Sequence, residues 1–137
     1  MDNRAWLAGL AGACTVTALN EGIRQIDEEA PRLDFLGMRV LADVTSPEHL
    51  RVKAMAADIA ANTLYYSAVG LGSPERAPLV GAAIGLAAGA GAVLLPGQLG
   101  YGDDVTNWRP KTRAMSVAYY AAAGLVAGLL YRAIAGR

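Results

Sequence analysis

The sequence APLVGAAIGLAAGAGAVLLPGQLGYG, from Ala77 to Gly102, contains no charged side chain and places glycines at positions 81, 85 and 89. An apolar run of about eighteen residues is long enough to cross a hydrocarbon core of about 30 Å at about 1.5 Å per helical residue. Glycines four apart share one face of a helix and let a second backbone come close. The stretch predicts a membrane-spanning helix whose glycine face packs within the chain, with a homodimer as the weaker alternative.

Composition and charge bound the class of protein. The 137 residues correspond to one domain, and 54 % are hydrophobic, above the roughly 45–50 % apolar share of an ordinary soluble domain. Twelve basic and twelve acidic side chains give zero net charge, so no nucleic-acid partner is expected. The single cysteine, Cys14, excludes an internal disulfide, and with the single histidine, His49, it leaves too few ligands for a Cys/His metal site. The sequence therefore predicts no metal and no cofactor.

Three further apolar stretches accompany the span predicted at 77–97, and they cover about 5–22, 54–72 and 114–134. Each is long enough for a helix that crosses a membrane. The sequence therefore predicts an all-α fold, an integral membrane bundle of four transmembrane helices that forms a single transmembrane domain over residues 1–137. We expect a multi-pass protein of the cell membrane, in contact with membrane lipids.

The first loop has a helical pattern of its own. After Pro31, apolar residues recur at helical spacing, among them Leu33, Leu36 and Val40. Such a pattern predicts a short amphipathic helix that lies on the membrane surface or caps the bundle.

The flanking Lys and Arg residues predict an orientation. Eight of them flank the end that carries the first and third loops, and four flank the end that carries both termini and the middle turn. Because cytoplasmic loops carry an excess of Lys and Arg, the two longer loops are expected in the cytoplasm. The N- and C-termini are then extracytoplasmic.

The second and fourth spans share a short motif. Tyr65-Tyr66-Ser67-Ala68-Val69-Gly70-Leu71 matches Tyr119-Tyr120-Ala121-Ala122-Ala123-Gly124-Leu125. Two helical hairpins in tandem would produce this echo. Spans rich in Ala and Gly also resemble one another by chance, so both explanations stay open.

Polar residues concentrate where the first two spans meet the first loop. Glu21 lies near the end of span one and Asp58 about one turn inside span two, so their carboxyls come to a similar depth. A carboxyl within a span is costly and needs a partner or a function. We expect the two to approach each other, with Arg24 to compensate them. The candidate ligand-binding residues around them are Asn20, Arg24, Asn62, Tyr65 and Tyr120.

This polar cluster has two interpretations. It can be a network of salt bridges and hydrogen bonds that fixes the register of the helices. It can instead bind a ligand, move a proton or catalyse a reaction, in which case Asp58 and Glu21 are the catalytic candidates.

Three classes of function follow from these interpretations. The leading expectation is a membrane protein of binding or transport type that holds a small amphiphilic ligand or an ion between its helices. The second is a membrane-embedded enzyme on a lipid or isoprenoid substrate, with Asp58 or Glu21 as acid or base. The third is a structural membrane subunit whose glycine faces bind other chains.

Overall fold

The computed structural model describes residues 2–102 and 104–137, and this part of the chain consists of helices and their connections. Its α-helices are α1 (Asn3–Ile23), α2 (Leu33–Ala42), α3 (Leu50–Tyr66), α4 (Ala77–Gln98), α5 (Asp104–Asn107) and α6 (Pro110–Ala135). Two 3-10 turns, Ser67–Leu71 and Pro74–Arg76, join α3 to α4. Neither described range contains a strand, which confirms the all-α prediction.

Three of the four predicted spans coincide with α1, α4 and α6 to within about one helical turn. The second, 54–72, differs, because α3 begins at Leu50 and its α-helical hydrogen bonding ends at Tyr66. The Ser67 hydroxyl donates to the Leu64 carbonyl oxygen at 2.6 Å, and the chain tightens into a 3-10 turn. Glycines follow within a few residues, and their low helix propensity accounts for the early end.

The closest helix pair is α4 with α6, and glycines make it possible. A Cβ atom added at Gly85 would collide with the backbone oxygen of Tyr120, and one added at Gly89 would lie 2.7 Å from Val117 Cα. On α6, Gly124 stands against the backbone of Gly81 in the same way. The prediction that the glycine face packs against another helix of the chain is confirmed, and α6 fills that face.

The first helix packs between α3 and α6 through small residues. Gly9 faces the backbone at the end of α3, where an added Cβ would collide with the Thr63 carbonyl oxygen and lie 2.8 Å from Ser67 N in the 3-10 turn. Gly12 leaves room for the ring of Tyr66, which is fully buried and which reaches through the core towards Tyr120 on α6. These contacts place α1 at the centre of one side of the bundle and join α3 to α6.

The packing around the bundle is not symmetric. Antiparallel contacts pair α1 with α3 and α4 with α6, as two tandem hairpins would, and α1 also packs along α6. The matching contact between α3 and α4 is almost absent. A hydrogen bond crosses the gap between α3 and α4: the Tyr65 hydroxyl donates to the Ile84 carbonyl oxygen at 2.7 Å. The order of the long helices is therefore α3, α1, α6, α4, with an open seam between the first and the last.

The first and third loops meet at one end of the bundle. The Arg32 amide donates to the Val105 carbonyl oxygen at 2.9 Å, and Lys111 Nζ lies 2.6 Å from Asp27 Oδ2. The hydrogen bond from Lys111 lowers the pKa of Asp27. At the opposite end, a Cβ added at Gly136 would lie 3.8 Å from Pro74 Cβ. The C-terminus and the middle turn thus share one end, and the two longer loops share the other.

Two helical segments, Pro74–Gln98 and Pro110–Ala135, are long and apolar enough to cross a membrane. The other two predicted spans fall short of the same measure. Arg4 and Glu21 lie near the two ends of α1, and α3 is 17 residues long and carries Arg51 and Asp58. The structure therefore has two candidate membrane-spanning helices within the described residues.

Candidate functional site

The polar residues at the loop end form a network of ion pairs. Arg24 Nη2 lies 3.1 Å from Glu21 Oε2, and Arg24 Nη1 lies 2.7 Å from Asp34 Oδ2. Arg51 Nη2 lies 3.1 Å from the same Glu21 oxygen, and Arg51 Nε lies 3.8 Å from Asp34 Oδ2. Two carboxylates and two guanidinium groups therefore tie α1, α2 and α3 together.

Asp34 is the most buried acid of this network, with a side chain that is 7 % exposed. It lies in the first turn of α2, where the helix dipole favours a negative charge. Sequence reasoning missed both residues, because Asp34 lies in the predicted surface helix and Arg51 lies before the span predicted at 54–72. An acid beside the apolar Leu33 was the one available signal, since it interrupts the apolar face of an amphipathic helix.

Asn20 is buried and has a structural contact. Its Oδ1 accepts a hydrogen bond from the Leu33 amide at 3.1 Å and so satisfies the first turn of α2. Asn20 and Arg24, two of the candidate ligand-binding residues, thus hold α2 against the end of α1. Glu21 is held in place between two guanidinium groups.

Glu21 and Asp58 line the same small cavity. The cavity has a volume of about 30 Å³, enough for about one water molecule, and the buried Thr17 hydroxyl beside it has no hydrogen-bond partner among the described residues. Arg24, however, pairs with Glu21 and Asp34 rather than with Asp58. Within residues 2–102 and 104–137, no cationic side chain lies within 4.0 Å of the Asp58 carboxylate.

The open seam between α3 and α4 forms a much larger groove of about 620 Å³. We call it the seam groove; its walls come from α2, α3, α4, the loop that follows α4 and one residue of α6. Most of its lining is apolar, and its polar members are Asn62, Tyr65, Tyr101 and Tyr120. Three candidate ligand-binding residues, Asn62, Tyr65 and Tyr120, therefore meet here, whereas Asn20 and Arg24 belong to the ion-pair network.

The seam groove continues under α2 into a second part of about 290 Å³ that reaches Asp58. The two parts share Leu36 and Val40 of α2, Ala61 of α3 and Tyr120 of α6. Asn62, one turn beyond Asp58 on α3, interacts with its carboxylate. Asp58 thus stands where the water-sized cavity and the seam groove meet.

The amphipathic helix α2 forms the roof of the seam groove. Its apolar face turns Leu36 and Val40 towards α3 and α4, as the spacing predicts. Its other face carries Arg39, which binds Asp104 through two hydrogen bonds of 2.8 and 3.1 Å. This pair, outside the predicted spans, raises the pKa of Arg39 and lowers that of Asp104.

Other chemistries have less support in the described part of the chain. It contains no group of three or more His, Cys, Asp or Glu side chains that could hold a metal ion. Cys14 is exposed on α1 and lines none of the cavities above. No family model, curated protein or solved structure matches the chain.

Proposed function

We propose that this protein is a four-span membrane protein that binds a small amphiphile in the seam groove. The observation that carries the proposal is the groove itself, an open and mostly apolar cleft with Asn62 and three tyrosines in its wall. Ligand sites are commonly apolar clefts in which a few polar groups fix the orientation of the ligand.

Exposed apolar surface supports the membrane setting. Only 22 % of the apolar window of the first candidate helix and 39 % of the second is buried in the chain, unlike the core helix of a soluble protein. Large apolar side chains are also exposed on α1 and α3, where Leu7 is 58 % and Leu64 is 55 % exposed. A soluble monomer rarely leaves so much apolar surface in water. Lipid around all four long helices would cover it.

The same setting explains how a ligand would enter. An amphiphile dissolved in the bilayer reaches a lateral cleft without crossing the polar end of the bundle. Its apolar part would lie along Ala88, Ala92 and Leu95 of α4, and its polar part would meet Asn62 and the tyrosines. The positive-inside bias places the α2 end of the groove at the cytoplasmic side.

Two neighbouring substitutions on α4 test the proposal. Gly91 lines the seam groove, and a Cβ added there meets only Leu95 Cδ1 at 3.5 Å, so Gly91→Phe fills the groove without a clash in the core. Ala90, one residue earlier, is exposed and lines no cavity named above, so Ala90→Phe is the matched control. The probe is monoolein, titrated into the detergent-solubilised protein and counted by native mass spectrometry.

We expect one bound monoolein in the wild type and in Ala90→Phe, and loss of that adduct in Gly91→Phe. Equal binding by all three proteins would overturn the proposal, because the probe would then lie elsewhere on the apolar surface. Circular dichroism of each variant confirms that the helices are intact before binding is compared.

An enzyme on the same class of ligand is the second candidate. Asp58 favours it, because it is the one carboxylate that lines either part of the seam groove within the described residues. Glu21 suits acid or base chemistry less well, since two guanidinium groups hold it. Incubation with a total lipid extract distinguishes the two: a product formed by the wild type and not by Asp58→Asn would favour catalysis, and unchanged lipids would favour binding alone.

A further inference from the structure

We infer that the seam groove selects a hydrophobic cation, a molecule with an amine, quaternary ammonium or phosphonium centre and apolar substituents, and that the Asp58 carboxylate is its counter-ion. The inference rests on the proposed function, since it names the class of ligand for the same groove. The inference follows from the groove that surrounds Asp58 and from the absence of a cationic partner for Asp58 among the described residues.

Three of the acids near the loop end have a cation of their own. Asp27 pairs with Lys111 at 2.6 Å, Asp34 with Arg24 at 2.7 Å and Asp104 with Arg39 at 2.8 Å. Asp58 has no such partner within 4.0 Å among the described residues, and its near polar neighbour is the neutral Asn62. Asp58 is thus an acid without a cationic partner among the described residues, and it lines the ligand groove.

The neighbouring guanidinium groups are already committed. Arg24 is shared by Glu21 and Asp34, and Arg51 binds Glu21 with a longer contact to Asp34. Moving Arg24 towards Asp58 would break its 2.7 Å pair with Asp34, which is 7 % exposed, and moving Arg51 would break its 3.1 Å pair with Glu21. A cation that pairs with Asp58 would therefore come with the ligand.

The rest of the groove suits a cation with apolar arms. A charged carboxylate in apolar surroundings is expensive unless it is paired, so an entering cation gains an ion pair while an entering anion adds repulsion. Tyr120 lines the groove together with Asp58, and Tyr65 and Tyr101 line the wider part. Their ring faces attract cations. The apolar walls then take the substituents.

Three probes of similar shape separate charge from hydrophobicity: the cation tetraphenylphosphonium, the anion tetraphenylborate and the neutral triphenylphosphine oxide. Each is titrated into the full-length protein in a neutral maltoside detergent, with affinity measured by equilibrium dialysis against protein-free micelles. The variants are Asp58→Asn, which keeps the shape and polarity of the side chain, Asp58→Glu, which keeps the charge, and the pair Gly91→Phe and Ala90→Phe.

We expect the wild type to bind the phosphonium at least about tenfold more tightly than the borate. Asp58→Asn should lose about tenfold or more in phosphonium affinity and keep its affinity for the neutral oxide, which also shows that the groove is intact. Asp58→Glu should retain the preference for the cation. Ala90→Phe should match the wild type.

Two results separate the failure of this inference from failure of the proposed function. Equal affinity of the wild type for cation and anion, or an unchanged phosphonium affinity in Asp58→Asn, would overturn the cation inference and leave the groove as a ligand site. Absence of binding by all three probes, or binding that Gly91→Phe does not reduce, would overturn the groove and the inference together.

Discussion

The Tyr66 hydroxyl donates a hydrogen bond to the backbone carbonyl oxygen of Tyr120 at 3.0 Å, in the buried core of the bundle. The donor belongs to the last turn of α3 and the acceptor to the middle of α6, and the ring between them passes Gly12 of α1. One side chain therefore joins three helices. It also fixes the position of Tyr120, whose own ring lines the seam groove.

This contact predicts a graded loss of stability. Tyr66→Phe keeps the ring and removes the donor, so we expect a loss of about 1 kcal/mol in the free energy of unfolding. Tyr66→Ala leaves a cavity between three helices and should cost about 3–5 kcal/mol. Denaturant unfolding in detergent measures both. Tyr119→Phe is the control, because the buried Tyr119 hydroxyl has no hydrogen-bond partner among the described residues; a Tyr66→Phe variant as stable as the wild type would contradict the role of the hydrogen bond.

A second prediction concerns Gly85 in the contact between α4 and α6. Even a methyl group there would meet the Tyr120 carbonyl oxygen and lie 2.9 Å from Ala121 Cα, both of which are backbone atoms. Gly85→Ala should therefore cost about 1–3 kcal/mol, and Gly85→Leu more. Gly91→Ala on the same helix should be neutral or should stabilise by up to about 1 kcal/mol, since alanine is the better helix former.

Thermal unfolding followed by circular dichroism in one detergent compares these variants with the wild type. If Gly85→Ala had the same melting temperature as Gly91→Ala, α4 and α6 would have to lie farther apart than they do in the structure.

Sequence patterns predicted the parts of the fold that depend on one helix at a time. The four-residue spacing of Gly81, Gly85 and Gly89 identified a packing face, and the apolar face of α2 followed from Leu33, Leu36 and Val40. The open seam could not be predicted in this way. Ala61, Ala88 and Gly91 line it, and small residues of this kind mark a close contact as often as a gap. Only the position of the opposite helix distinguishes the two.

The site was predicted in part for a similar reason. Glu21 and Asp58 line one small cavity, but the expected approach of their carboxyls stays a prediction, and the sequence analysis assigned Arg24 to both of them. The structure pairs it with Glu21 and with Asp34, ten residues along the chain, because α2 folds back onto the end of α1. A loop that returns to its own helix creates a competing partner, and no spacing rule within a helix shows this. Because Arg24 pairs with Asp34, it does not serve as the cationic partner of Asp58.

A third prediction separates the two acids of the network by their burial. Asp34 is 7 % exposed, and its loss leaves Arg24, itself 18 % exposed, with one partner fewer. Asp34→Leu should therefore cost about 2–4 kcal/mol, towards the range for a broken buried ion pair. Glu21→Gln should cost about 1 kcal/mol or less, because Glu21 and Arg51 are 27 % and 51 % exposed and water screens the pair.

The measurement is the denaturant midpoint of each variant, with Glu48→Gln as a surface control whose side chain is 80 % exposed. A Glu21→Gln variant less stable than Asp34→Leu would show that Glu21, and not Asp34, fastens the first loop.

A fourth prediction is the pH dependence of the contact between the first and third loops. The hydrogen bond from Lys111 lowers the pKa of Asp27 from its ordinary 3.8 and raises that of Lys111 from its ordinary 10.5. A lowered carboxyl pKa stabilises the fold above the unfolded pKa and loses this effect as the pH falls through the folded one. A raised ammonium pKa stabilises below the unfolded pKa and loses the effect as the pH rises through the folded one.

The contact should therefore be fully formed from about pH 5 to pH 9 and should weaken outside that window. The difference in melting temperature between wild type and Lys111→Met reports it, because other titrations are common to both proteins. We expect this difference to shrink below about pH 4. If the difference in melting temperature between the two proteins stayed constant from about pH 3 to about pH 6, Asp27 would not be the partner of Lys111 in solution.

The last prediction tests the membrane setting on which the proposed function depends. Val44 is 75 % exposed beyond α2 at the loop end, and Ser73 is exposed in the middle turn at the other end. Single cysteines, Val44→Cys and Ser73→Cys, are placed in a Cys14→Ala background, and cells are treated with a membrane-impermeant maleimide before and after permeabilisation. Because α3 separates the two positions, a helix that crosses the bilayer leaves them on opposite sides, and the positive-inside bias assigns Ser73 to the outside.

We expect Ser73→Cys to react in intact cells and Val44→Cys to react only after permeabilisation. The reverse pattern would keep the spans and invert the orientation. Labelling of both positions from one side would remove α3 from the membrane, and with it the lateral entrance that the seam groove requires.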